Sequence, residues 1–194
     1  MDLETLFVEQ RWNILKSLTE NKLSPLQLSA SSNTTIANIS QQLRLLEAAN
    51  LVKKEKIKNR DKGKPRTLFS LTNDYAYLVA TMQNFAGKKL LVLDDFKKYM
   101  LRALFLKNKD TQYALMKFYW SIEPSLKDID AILVSTDGQL NITIVSDKQL
   151  KLSSKFPIDY VSKSKLRKSK YSSFDVMYDP NGIFANGNNI QQEK

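Results

Sequence analysis

Ile39-Ser40-Gln41-Gln42-Leu43-Arg44-Leu45-Leu46-Glu47-Ala48-Ala49-Asn50-Leu51-Val52 reads as a helix followed by its own stop signal. Ile39, Leu43 and Leu46 recur at spacings of four and three, which places them on one stripe of an amphipathic helix. Asn50 follows where a helix ends in the left-handed conformation, which Asn tolerates best after Gly. Leu51-Val52 then begins an extended segment. Upstream, Thr34 or Thr35 caps the helix, and Ser31-Ser32-Asn33 is a turn. Before that turn Ser24 caps a short helix with Pro25 at its first position, running to about Ala30 and carrying Leu26 and Leu28. Residues 3–19 place Leu3, Phe7, Ile14 and Leu18 at helical spacing, with Leu6, Trp12 and Leu15 alongside, and predict one amphipathic helix.

Downstream, Lys53 to Lys58 and Thr67 to Leu71 read as the two arms of a hairpin, with Gly63 and Pro65 supplying the turn at its tip. The order helix, short helix, turn, helix, basic hairpin is that of a winged helix-turn-helix. With Ile39, Leu43 and Leu46 inward, the outward positions are Thr35, Ala37, Asn38, Gln41, Gln42 and Arg44. Asn and Gln pair bidentately with adenine, and Arg with guanine or a phosphate. Thr34 and Thr35, at a helix start with free backbone N–H groups, suit a phosphate. The hairpin cations Lys58, Arg60, Lys62, Lys64 and Arg66 suit backbone phosphates or the minor groove. These eleven side chains are the expected DNA contacts. A blander reading makes Asn38, Gln41 and Gln42 mere solvation of a surface helix.

The stretch from Ile39 to Val52 resembles the recognition-helix signature of ArsR-type winged-helix transcription regulators, with Asn50 in place of the usual Gly. Arg11-Trp12-Asn13-Ile14-Leu15-Lys16-Ser17-Leu18 is similar to the first-helix segment of that family. Gly63-Lys64-Pro65-Arg66 and Phe69-Ser70-Leu71-Thr72 are similar to its wing and exit. Together the likeness spans residues 5–75, about two fifths of the chain. Two departures stand out. Ser32 and Thr34 occupy the usual apolar positions of the turn, which predicts a looser or shifted corner. The metal-sensing members use Cys and His ligands, and this chain has neither.

Composition narrows the alternatives. The 194 residues are 42% hydrophobic, enough for a packed core, and no apolar run approaches the roughly 20 residues of a membrane span. The absence of Cys and His removes disulfides, thiolate nucleophiles and the commonest metal ligands and general base. No metal or other cofactor and no catalytic constellation is expected. The start, MDLETLFVEQ, carries acids where a signal peptide carries a basic region, so a cytoplasmic location is expected. The net charge of +10 favours an anionic partner, nucleic acid first and anionic membrane second. It is concentrated in two places: residues 53–66 hold eight Lys/Arg against two acids, and residues 148–170 eight against Asp159.

Beyond Thr72 the pattern predicts a helix from about Asp74 to Phe85, on Tyr75, Leu78, Val79, Met82 and Phe85, interrupted at Gly87. A second helix spans about Asp94 to Leu106, with Phe96, Met100, Ala103 and Leu104 on one side and Tyr99 near that stripe. A third runs from about Asp110 to Ile122, ended by Pro124. Their aromatics are read as core, then as a homodimer seam, then as an aromatic ligand pocket. From residue 129 the texture turns to β: Ile129 to Val134, Leu140 to Val145 around an Asp137-Gly138 turn, Pro157 to Val161, and Phe174 to Tyr178. Lys163 to Lys170 is a basic run read as a short helix, either a solvated loop or a second phosphate contact. The strand Asn141 to Asp147 resembles the central strand of nucleotidyltransferase-like αβ domains. Asn141 and Thr143 stand where that family has metal-binding carboxylates, which implies a degenerate copy without transfer chemistry.

The expected fold is therefore α+β. It comprises a winged helix-turn-helix over 1–73, a helical linker or dimerisation region over 74–125, a small αβ domain over 126–184 and a flexible tail over 185–194. The expected function is that of a sequence-specific, double-stranded-DNA-binding transcription regulator, homodimeric and not an enzyme, without membrane association. A small-molecule effector is left open and unidentified. The alternative is a winged helix tethering a nucleotidyltransferase-like, degenerate or ligand-binding domain.

Overall fold

The computed structural model describes residues 3–57, 66–137, 139–150, 152, 154 and 156–184. The chain divides into two compact units, Met1–Leu93 and Asp94–Lys194. The architecture mixes helices and strands, as expected of an α+β chain.

In the first unit the predicted opening helix is broken. A 3₁₀ turn, Leu3–Phe7, precedes α1 (Glu9–Glu20), because Val8 sits in an extended conformation between them. The helical spacing spans that joint, since Leu6, Ile14, Leu15 and Leu18 all reach the same core. Next comes α2 (Pro25–Ser31), started by a reciprocal capping box between Ser24 and Gln27 with Pro25 in its first turn. The corner after it is closed by backbone bonds, Ser32 N–H to the Leu28 carbonyl at 3.0 Å and Thr34 N–H to the Ser29 carbonyl at 3.2 Å. Asn33 takes a left-handed φ of 46° there. These bonds hold the corner in place of the apolar packing that Ser32 and Thr34 cannot supply.

Thr35 caps α3 (Ile36–Ala48) by accepting from the Asn38 N–H. Ile39, Leu43 and Leu46 are its buried stripe, as their spacing requires. Asn50 has a φ of 57°, and Leu51 N–H returns to the Leu46 carbonyl at 2.9 Å while Asn50 N–H reaches that of Glu47 at 2.9 Å. That pair of bonds is a Schellman stop, and it delivers Leu51 and Val52 into the core. The strands β1 (Val52–Ile57) and β2 (Arg66–Leu71) pair antiparallel from Val52↔Leu71 to Ile57↔Arg66. Leu23 bridges to Phe69 on the other edge of β2.

Residues 74–93 overturn an expectation. In place of a helix they form β3 (Tyr75–Met82) and β4 (Phe85–Val92), an antiparallel hairpin turned at Gln83-Asn84, with Asn84 at a φ of 62°. Tyr75, Leu78, Val79 and Met82 fit a helical stripe, but Tyr75, Tyr77, Val79 and Thr81 also alternate as aromatic and β-branched residues do in strands. Tertiary contacts choose between the two. The Tyr75 hydroxyl donates to the Asn50 carbonyl at 2.9 Å, and Tyr77 stacks on Phe7 at 5.1 Å. Gly87 is a strand residue under the Phe85 ring, not a helix break. The hairpin belongs to the first unit, so the expected helical region 74–125 is helical only beyond it.

In the second unit Asp94 caps α4 (Asp95–Leu104), accepting from the Lys97 N–H at 2.8 Å. The Lys97 ammonium beside it holds the Asp94 carboxyl below its ordinary range. Asn108 caps α5 (Lys109–Ile122). The buried side of α4 and the residues after it is Tyr99, Ala103 and Leu106, whereas Phe96 and Leu104 are exposed. The buried stripe is thus rotated from the expected one, because the Tyr99 ring, with its hydroxyl donating to the Leu115 carbonyl at 3.1 Å, is the residue that packs on α5.

The sheet is ordered β7-β6-β5-β8, formed by β5 (Ala131–Ser135), β6 (Asn141–Val145), β7 (Ile158–Val161) and β8 (Asp175–Tyr178). Only β6 and β7 run parallel. Tyr99, Leu115, Tyr119 and Ile122 cover one face with Ile132, Ile142 and Ile144. Ala131, Leu133, Val145, Tyr171 and Phe184 form a smaller cluster with opposite strand positions. Burial on both faces explains why β5 reads as a continuous apolar run from Ala131 to Val134, and why Thr143 of β6 is buried along with its apolar neighbours. The Gly138 of the β5–β6 turn and the tail 185–194 lie outside the described residues.

Candidate nucleic-acid interface

Opposite the buried stripe of α3, a rotation of 100° per residue puts Ala37, Gln41, Arg44 and Ala48 on the outermost face. All four are exposed. Two alanines flanking one Gln and one Arg make a low helix surface with two long polar arms. Neither arm is committed to a hydrogen bond with another described residue.

Asn38 and Gln42 lie on the flank of that face, half-buried, and are wired together. Arg11 Nη1 of α1 donates to Gln42 Oε1 at 3.1 Å, Gln42 Nε2 donates to Asn38 Oδ1 at 3.2 Å, and Asn38 Nδ2 donates to Thr34 Oγ1 at 3.0 Å. The chain of bonds orients both amides, yet each keeps one amide proton for an outside acceptor. Thr34 and Thr35 accept internally, so their hydroxyl protons point to other acceptors beside the first-turn N–H groups of α3. The readings that treat these residues as contacts or as solvation therefore divide: Gln41 and Arg44 are unconstrained arms, whereas Asn38 and Gln42 belong to an ordered network.

Arg11 is the residue that sequence reasoning missed. Its Nε is buried without a hydrogen-bond partner among the described residues, and its bond to Gln42 joins positions 31 apart in the chain. No local pattern signals such a contact.

On the β1–β2 hairpin, Lys58, Arg60, Lys62 and Lys64 lie outside the described residues, as do Gly63 and Pro65. Arg66 is exposed at the start of β2. Part of the charge here is internally matched. Lys54 pairs with Glu47 of α3 at 2.9 Å, and Lys22 with Glu55 at 2.7 Å. The Lys22 ammonium holds the Glu55 carboxyl below its ordinary range. Lys56 and Arg66 make no ion pair among the described residues, and Lys56 is a cation outside the expected contact set.

In the second unit, parallel pairing of β6 and β7 sets Asn141 Nδ2 at 3.2 Å from Asp159 Oδ2. Thr143 is 1% exposed, so this edge offers one carboxylate. Asp128 pairs with Lys148 and Asp130 with Lys163. Among the described residues no group of three or more acids could hold a metal ion. No helix among them is long and apolar enough to cross a membrane.

Residues 9–54 match the family described as "Bacterial regulatory protein, arsR family". No curated protein matches the chain. The matched segment begins with α1 and ends in β1, so it contains α2, the closed corner and all of α3. The first unit therefore carries an ArsR-type helix-turn-helix, the DNA-binding element of a transcription regulator.

Proposed function

We propose that the chain is a cytoplasmic, homodimeric transcription regulator that reads double-stranded DNA with α3 in the major groove. The observation that carries this reading is the outer face of α3: Gln41 and Arg44 stand exposed between two alanines, directly opposite a fully buried stripe. Small neighbours let the helix sit deep in a groove about 12 Å wide, where Gln pairs with adenine and Arg with guanine. Asn38 and Gln42, held by Arg11, read or position from the flank. Thr34 and Thr35 donate to a phosphate at the helix start. The wing cations Lys58, Arg60, Lys62, Lys64 and Arg66 neutralise the backbone or enter the minor groove.

Self-association is assigned to residues 74–125. The β3–β4 hairpin supports it: Leu78, Val79, Met82, Phe85 and Val92 are between 43% and 64% exposed, and between Tyr75 and Leu93 only Lys88 and Lys89 are charged. An apolar surface of that kind marks an interaction site, and a two-fold dimer matches a DNA site with two half-sites. The regulator has no catalytic step in this reading, and any effector is a small molecule of unassigned chemistry.

Fluorescence anisotropy on the DNA upstream of the protein's own gene and on a scrambled duplex of equal length, at two salt concentrations, tests the reading. Preference for the upstream duplex that survives higher salt is the expected result. Gln41→Ala should then cost about 1–3 kcal/mol on the preferred site and relax the preference. Equal, salt-sensitive binding to both duplexes would remove sequence-specific regulation.

A further inference from the structure

The second concentration of positive charge lies far along the chain from the helix-turn-helix, between β7 and β8. Residues 163–171 form two consecutive 3₁₀ turns, Lys163–Lys165 and Lys168–Tyr171, and hold five cations and no acid. Lys163, Lys165, Arg167, Lys168 and Lys170 are all exposed. This is not a loose lysine loop. Tyr171 is 4% exposed in the smaller core cluster, and Leu166 packs on the same cluster, so the segment is pinned at its middle and its end.

The cations also differ in how they are engaged. Lys163 is matched by Asp130 at 2.6 Å, which holds its ammonium pKa above the ordinary value, and its backbone N–H is taken by Asp147 at 2.8 Å. Lys168 lies 6.0 Å from the centre of the Phe184 ring, and Lys170 lies 5.6 Å from that of Tyr171. Ring contacts orient an ammonium without neutralising it. Lys165 and Arg167 make no ion pair among the described residues. Among the described residues four positive charges thus stay without an ion-pair partner on a packed segment, interleaved with Ser164 and Ser169 as hydroxyl donors.

We propose that the second unit has its own duplex-binding face, in which Lys165, Arg167, Lys168 and Lys170 contact backbone phosphates without reading sequence. The chemistry favours a nucleic-acid backbone over a membrane. Duplex DNA offers a negative charge about every 1.7 Å of helix axis, which suits closely spaced cations. Interfacial membrane binding needs an apolar face beside the basic one, and here the apolar residues of the segment, Leu166 and Tyr171, are turned into the core. The inference rests on the reading of the chain as a DNA-binding protein, but it assigns a different contact with a different signature.

The test uses the full chain and the two duplexes described above. The variant Lys165→Ala/Arg167→Ala/Lys168→Ala/Lys170→Ala should weaken both duplexes by the same factor. Its plot of log affinity against log salt should flatten by about 3–4, at about 0.9 for each phosphate that is no longer neutralised. Replacing the three lysines by arginine should keep the wild-type slope. Should the fourfold variant fail to melt cooperatively, Lys165→Ala/Arg167→Ala, which touches neither ring contact, carries the test with a slope change of about 2. An unchanged slope in a folded variant would overturn the proposal. So would loss of binding to anionic phosphatidylserine vesicles with the DNA slope intact, which would give the patch to lipid. Failure of the regulatory reading shows differently: wild type would then lack preference between duplexes, while the slope would still report the patch.

Discussion

The first unit contains two antiparallel hairpins of similar build and opposite surface. In β1–β2 most exposed positions are cations, Lys53, Lys54, Lys56 and Arg66 beside Glu55 and Ile57, and the ribbon is tied down at one end by Val52 and in its middle by Phe69, which is bridged to Leu23. In β3–β4 the large exposed apolar side chains are Leu78, Val79, Met82, Phe85 and Val92, beside the two exposed cations Lys88 and Lys89, and the ribbon is tied down by Tyr75, Tyr77 and Leu90. A two-stranded ribbon has little stability of its own, so each depends on the few residues that dock it. What remains exposed then tells what the ribbon is for. The basic hairpin suits a polyanion, and the apolar one suits a surface as apolar as itself.

That contrast is breakable in a definite order. The largest effect belongs to the docking residue of the basic hairpin. Phe69→Ala should destabilise the first unit by about 3–4 kcal/mol in chemical denaturation, since the ring is buried beside Leu23 and the α1–α3 core. A loss below about 1 kcal/mol would mean the hairpin is held by something else. Next is the apolar ribbon: Val79→Lys with Met82→Lys should weaken self-association at least about tenfold, or about 1.4 kcal/mol, by sedimentation at graded concentrations. Because both side chains are more than half exposed, the melting of the dilute protein should change little. If these substitutions instead unfold the chain, the ribbon is a core element and the comparison collapses.

Arg66→Ala reverses that pattern. It should leave oligomeric state and stability untouched while flattening the salt dependence of DNA binding by about one unit. The smallest effect concerns Glu55. Lys22 holds its folded carboxyl below the ordinary range, so its contribution to stability is present above the unfolded value and is lost as pH falls through the folded one. Glu55→Gln should therefore shallow the acid limb of a thermal-stability profile slightly, the pair being exposed and screened. An unaltered acid limb would show that the Lys22–Glu55 pair contributes nothing measurable.

The same contrast explains how far the sequence could be read. The basic hairpin announces itself through its charge run, its Gly-Pro tip and the helix stop at Asn50 before it. The apolar hairpin has apolar residues at both helical and strand spacings, and its turn, Gln83-Asn84, lacks the Gly that would have flagged it. The stripe of α4 is ambiguous in sequence for a related reason. With Phe96, Tyr99, Met100, Ala103 and Leu104 all apolar, more than one face could be the buried one, and the packing of Tyr99 on Tyr119 at 4.8 Å selects it. Of the candidate interface, Gln41 and Arg44 could be placed outward from the spacing of Ile39, Leu43 and Leu46 alone. The tie from Arg11 to Gln42 could not.

Local signals determined what depends on neighbours within one or two turns of chain. These are the Ser24–Gln27 capping box, the left-handed stop at Asn50, the buried stripe of α3 and the strands of the second unit's sheet. Each is set by interactions between residues close in sequence, or by a burial pattern that only one periodicity fits. Tertiary structure decided what the chain leaves degenerate. It made residues 75–92 a hairpin, chose the face of α4, and brought Arg11 to Gln42 across 31 positions. It also pinned the basic turns of the second unit through Leu166 and Tyr171. In those cases the free energy that chooses comes from burial and hydrogen bonding between distant segments, which no local window of residues contains.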